Sequence, residues 1–167
     1  MLEHPAILLR PAEAPWGVRI ADPLTGAVLG SARRGGRPRR FSWLRWWGTV
    51  VVEVREGGDE PLLCTLRRGW GPWPNWHVCD ADGGAVGRVR GGLLYDRRDR
   101  PLGALSRQAS GRSALYRDAE GWELALTEAG PEGVTLTFLP EVDEDPFLKM
   151  VLLAAALVHN NLLPLAG

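Results

Sequence analysis

DPFLKMVLLAAALV, Asp145 to Val158, is the stretch on which the architecture turns. Asp145 suits a helix N-cap, and Pro146 suits the first helical position, where no N–H is needed. Asp143 and Glu144 sit beside the positive end of the helix dipole. From Met150 to Val158 every residue is apolar, and Pro164 stops the helix. A helix apolar on all sides must be enclosed by protein or by membrane. The apolar run is far shorter than the roughly 20 residues of a membrane span. The reading is therefore a buried helix, over about 145–162.

What could enclose it lies upstream. Short apolar segments begin near Ala6, Gly17, Ala27, Gly48, Leu62, Asn75, Ala85, Gly92, Pro101, Arg112, Gly121 and Gly133. Several alternate as half-buried strands do. In GTVVVEVRE, Val50, Val52 and Val54 oppose Glu53 and Arg55. In GWELALT, Trp122, Leu124 and Leu126 oppose Glu123 and Thr127. In GVTLTFL, Val134, Leu136 and Phe138 oppose Thr135 and Thr137. About eight strands close into a barrel filled by their own side chains, whereas about twelve leave a hole. One all-apolar helix fills such a hole. The expected fold is mainly β: a closed antiparallel barrel of about twelve strands, over about 6–139, around a buried C-terminal apolar helix, with residues 1–167 as a single domain.

The segments share turn chemistry. DPLTGAVLGSAR (22–33), DADGGAVGRVR (80–90), DRRDRPLGALSR (96–107) and YRDAEGWELALT (116–127) each place an acidic turn before a short apolar run. Asp and Gly provide the side-chain-to-backbone bonds and positive φ that hairpins need. DADGGAVGRVRGG, from Asp80, fails as a calcium loop. Positions 5, 6 and 12 are Gly84, Ala85 and Gly91, where an EF-hand wants a ligand, a glycine and a bidentate carboxylate. EVDEDPF (Glu141, Asp143, Glu144, Asp145) reads as helix capping, with a weak calcium site as the other reading.

The hairpin units, especially WHVCDADGGAVGRVRGG and YRDAEGWELALTEAG, followed by LTFLPEVDEDPFLKMVLLAAALV, resemble the phospholipid-scramblase-like and LURP-one-related proteins of the tubby C-terminal-domain group. The resemblance covers nearly the whole chain. It implies a twelve-stranded barrel around a central helix. It also implies a link to lipid, because tubby domains bind phosphoinositides and scramblases are linked to lipid movement.

Composition narrows the rest. Acidic and basic residues balance at 20 each, so any attraction to an anionic partner must come from a local patch. No GxSxG, HExxH or GxxxxGK[ST] pattern occurs, and the expectation is a protein that is not an enzyme and uses no cofactor. His77 and Cys79 share a strand face and could join Cys64 at a metal, but no fourth ligand stands at a telling spacing, so packing is the reading. Two isolated cysteines suit free, buried thiols in a cytoplasmic protein. The N-terminus shows no signal-peptide pattern.

RRGGRPRRFSWLRWWG is the local signal for function. It holds Arg33, Arg34, Arg37, Arg39, Arg40 and Arg45 with Trp43, Trp46 and Trp47. Arginine attracts lipid phosphates and tryptophan favours the headgroup interface. Arginine with aromatics also suits single-stranded nucleic acid, the weaker reading. Alternatively, FSWLRWW is a packed strand after an Arg/Gly tip. A second cluster, GWGPWPNW with Trp70, Trp73 and Trp76, reads as a packed, proline-stiffened turn at the barrel rim. The expected function is a monomeric binding module, peripheral at the membrane, that touches anionic phospholipid headgroups through Arg33 to Trp47. The alternatives are a soluble barrel that binds an unidentified protein and a membrane-inserted scramblase.

Overall fold

A computed structural model describes residues 1–12, 17–35, 50–57, 61–69, 75–107 and 111–163. Twelve strands follow in chain order: β1 Ala6–Pro11, β2 Gly17–Ala21, β3 Val28–Gly35, β4 Val51–Glu56, β5 Leu62–Arg68, β6 Asn75–Asp80, β7 Ala85–Arg90, β8 Leu93–Asp96, β9 Pro101–Arg107, β10 Ser113–Arg117, β11 Glu123–Gly130 and β12 Gly133–Phe138. Each pairs antiparallel with its chain neighbours, and β12 returns to β1 to close the barrel. The helix α1, Pro146–His159, follows a single 3-10 turn at Pro140–Val142. From Val151 to Leu157 every residue is buried to 1% exposure or less. Seven consecutive buried residues cover every side of a helix, so α1 fills the lumen. The alternation read in β4 and β12 holds, with Val50, Val52, Val54, Val134, Leu136 and Phe138 in the core.

The shared turn chemistry has one geometry. In the turns after β2, β6, β8 and β10 an aspartate begins the reversal, and its carboxylate accepts backbone N–H groups. Asp22 takes Leu24, Asp80 takes Gly84, Asp96 takes Arg98 and Arg100, and Asp118 takes Trp122. Three residues on, or four after Asp22, the chain passes through positive φ at Gly26, Gly83, Asp99 and Gly121. These N–H bonds hold the Asp22 and Asp96 carboxyls below the usual range.

Each hairpin turning at this end, β4–β5 included, also carries a one-residue register shift. Leu29, Leu63, Val86, Leu102 and Leu124 are the residues skipped. A small residue follows each one: Gly30, Cys64, Gly87, Gly103 and Ala125. Hairpins turning at the opposite end keep regular register. A bulge bends and twists its strand, which supplies curvature for closure. It also turns two successive residues inward, because the face alternation resets.

That reset corrects the expected faces of β11. Leu124 and Ala125 both enter the core, Thr127 is 1% exposed, and Leu126 falls on the outer face. Trp122, expected inside, lies in the turn before β11 and is 63% exposed.

At the start of α1, Asp145 caps as expected and accepts the Leu148 N–H at 2.9 Å. Asp143 does something different. It pairs at 3.0 Å with Lys149, the one lysine of the chain, which is 4% exposed. Lys149 Nζ also donates to the Leu2 carbonyl at 3.0 Å and lies 5.4 Å from the Phe138 ring centroid. The ammonium thereby ties the N-terminal residues to the helix. Asp143 is itself half-exposed, so removing it leaves a buried cation, whereas removing the lysine leaves a solvated carboxylate. Asp143→Ala is therefore expected to cost about 1–3 kcal/mol, and Lys149→Met about 1 kcal/mol or less. Urea unfolding of the two variants checks the order.

Candidate functional site

Antiparallel strands sort the charges. Arg10, Arg34, Arg67, Arg68, Arg90 and Arg107 stand in the last two positions of β1, β3, β5, β7 and β9. These strands run the same way, so the arginines gather at one end of the barrel. No carboxylate occupies the outermost two strand positions there among the described residues. The even-numbered strands run the other way. Glu56, Asp80 and Asp96 end β4, β6 and β8, while Asp22 and Asp118 directly follow β2 and β10. Glu141, Asp143, Glu144 and Asp145 join them where β12 leads into α1. A net charge of zero thus conceals an arginine end and an acidic end. The helix agrees with both: it starts at the acidic end and finishes at the arginine end, where Arg107 lies 3.5 Å from the His159 carbonyl.

The two sets of charges have different causes. The aspartates are required by the turns they cap. At the arginine end the β7–β8 reversal is made by Gly91 and Gly92 at φ 54° and 94°, and no arginine is needed to form it. Arg10 pairs with Glu132, but Arg67 and Arg90 are exposed and perform no turn function.

Of the residues expected to carry function, Arg33 and Arg34 lie on β3 at the arginine end, both exposed. Arg37, Arg39, Arg40, Trp43, Arg45, Trp46 and Trp47 lie outside the described residues, as do Trp70 and Trp73. Gly35 pairs directly with Val51, so β3 and β4 are neighbours in the barrel. Trp76 is packed, at 0% exposure. The sequence reading missed Arg10, Arg67, Arg68, Arg90 and Arg107. Their signal was available: alternate segments finish LLRP, SARR, TLRR, RVR and LSR.

Inside the arginine end, the Tyr116 hydroxyl lies 3.3 Å from His159 Nδ1 and the two rings stack at 6.0 Å. Burial, and secondarily Arg107, push His159 down to about 4. The unfolded chain protonates this histidine near 6.5, so between those values it binds a proton that the folded chain refuses. Stability present above pH 6.5 is therefore lost as pH falls toward 4, by on the order of 2–3 kcal/mol. Urea midpoints at pH 7 and 4.5 should show this loss, and His159→Gln should flatten it. The turn aspartates lose their contribution at lower pH.

The metal reading of Cys64, His77 and Cys79 does not assemble. Cys64 pairs with Asp80 while Cys79 pairs with Thr65, which puts the two sulfurs on opposite faces. Cys64 lies in the core, and burial, then Cys79, raise its thiol to about 12. Both cysteines are free and buried. Among the described residues no three metal-ligating groups converge.

At the acidic end two hollows flank Leu102 and Leu148. One, of about 660 Å³, is lined by Asp80, Asp96, Arg97, Arg98, Asp145, Phe147 and neighbours. The other, of about 590 Å³, is lined by Pro101, Leu102, Asp118, Ala119, Glu120, Trp122, Leu124, Glu141 and Leu148.

The molecule is thus a helix-filled, twelve-stranded antiparallel barrel with opposite charge at its two ends. Among solved structures it is similar to the crystal structure of a protein from Arabidopsis thaliana, with a TM-score of 0.60 over 92% of this chain and 95% of that one, at 14% identity. At that identity the likeness shows the fold alone. No protein-family model matches the chain, and no curated protein matches it. Among the described residues no helix is long and apolar enough to cross a membrane.

Proposed function

We propose that this chain is a non-enzymatic binding module whose arginine end docks on anionic lipid headgroups. One observation carries the reading: arginines close the odd-numbered strands β1 to β9 at a single end, without carboxylates beside them in the outermost strand positions. A basic residue near an anionic bilayer contributes about 1 kcal/mol, so several on one face suffice for reversible attachment. Gly35, which ends β3, stands at this same end, and Arg37 to Trp47 follow it in the sequence. The burial of α1 supports peripheral contact over insertion, because a helix that fills the barrel is not free to enter a bilayer.

Vesicle flotation tests the proposal. The protein should float with phosphatidylserine-containing vesicles at low salt, stay down with phosphatidylcholine alone, and be released at high salt. No flotation with either composition would leave the soluble, protein-binding barrel as the reading.

A further inference from the structure

We propose that the hollow beside Trp122 at the acidic end is a docking site for a basic, apolar-flanked peptide segment of a protein partner. Two independent features converge there. The first is exposed apolar surface. Trp122, 63% exposed, lines the hollow beside the apolar Pro101, Leu102, Leu124 and Leu148, and exposed apolar surface of this kind marks interaction sites. The second is charge. Asp118, Glu120 and Glu141 line the hollow and no cationic side chain does. Among the described residues neither Glu120 nor Glu141 has an ion-pair partner.

Trp122 is held ready. Its backbone N–H donates to Asp118 Oδ1 at 2.8 Å, and its backbone carbonyl accepts the Asp118 N–H at 3.0 Å. Trp122 lies in the turn just before β11, where its indole stands exposed instead of following the strand's alternation. A guanidinium on the indole face, with carboxylates at its edge, satisfies the charge of both partners. Leu102 and Leu148 form an apolar floor for the neighbouring residues of the peptide.

The chemistry selects the occupant. A hard metal ion needs converging oxygen ligands, and no such set of three exists among the described residues. An anionic membrane is repelled by the carboxylates. A basic peptide matches both the aromatic and the charged lining, so lipid and protein would take opposite ends of the barrel.

An array of heptapeptides with a central arginine between varied apolar residues, probed with the full chain, tests this. Retained peptides should combine arginine or lysine with leucine or phenylalanine, and matched glutamate peptides should not be retained. Trp122→Ala, and separately the pair Glu120→Gln with Glu141→Gln, should weaken retained peptides at least about fivefold. Arg67→Glu with Arg68→Glu and Arg90→Glu should leave peptide binding intact, which separates this site from the lipid-facing end. Retention no better than for the glutamate peptides would overturn the proposal, as would Trp122→Ala binding like the unaltered chain. Dimers in sedimentation that Trp122→Ala abolishes would also overturn it, by making a second copy the occupant.

Discussion

Gly87→Val should destabilise the barrel by at least about 3 kcal/mol, enough to lower the melting temperature by roughly 6–12 °C. Gly87 follows the bulge residue Val86 on β7, the strand against which α1 packs most closely. A Cβ at this position would stand 2.5 Å from the Tyr95 carbonyl oxygen and 2.7 Å from Val151 Cγ2. One obstacle is backbone of the paired strand and the other is the central helix. Neither withdraws without spoiling a β-ladder or the packing of the lumen. Gly83→Ala is the matched control. It lies in the preceding turn at φ 84° with open space around it, so only backbone strain opposes a side chain, at about 1 kcal/mol. Thermal unfolding of the two variants separates close approach from conformational strain. Equal costs would mean that helix and strand do not meet as described.

Arg67→Glu combined with Arg68→Glu and Arg90→Glu should abolish flotation with phosphatidylserine-containing vesicles. Arg68 pairs in register with Trp76, and Arg90 with Asn75, so the three arginines flank the start of β6 from the strands on either side of it. At about 1 kcal/mol for each basic residue near the surface, removing three weakens binding by roughly 100-fold. The new carboxylates add repulsion; Arg67 and Arg90 are exposed and Arg68 is half-buried at the end of β5, so the cost in stability should stay small. The same three replacements at Arg97, Arg98 and Arg100 alter charge equally at the acidic end and should leave flotation as it was. Loss of flotation in both variants would point to net charge rather than to one face.

Much of the fold was legible. Nearly every strand began within two or three residues of its expected start, because aspartate and glycine punctuate the chain wherever it reverses. The helix was visible because no soluble surface helix is apolar on every side. The bulges were not. A pattern of alternate residues assumes unbroken register, so Leu124 next to Ala125 read as one inward residue and one outward. The small residue after each bulge, Gly30, Gly87 and Gly103 among them, was the available sign.

The candidate site was less legible for a different reason. A basic patch shows in a sequence when its residues are contiguous, as in RRGGRPRRFSWLRWWG. The arginine end is assembled from residues as far apart as Arg10 and Arg107, brought together only by strand direction. Parity carries the information: in a closed meander every odd strand ends where every other odd strand ends. Once the strand count is known, Arg10, Arg34, Arg67, Arg90 and Arg107 fall into one group without coordinates.

The central claim is that the arginine end faces the lipid and the acidic end faces away. Two single-cysteine labels read this directly. Leu93, at the arginine end, and Leu24, at the acidic end, are both exposed, while Cys64 and Cys79 are buried and should not compete for label. Spin labels on Leu93→Cys and Leu24→Cys are compared for collision with a water-soluble relaxation agent, with and without phosphatidylserine-containing vesicles. The account predicts that vesicles shield the label at position 93 and leave the label at position 24 fully accessible. Shielding at 24 with free access at 93 would contradict it.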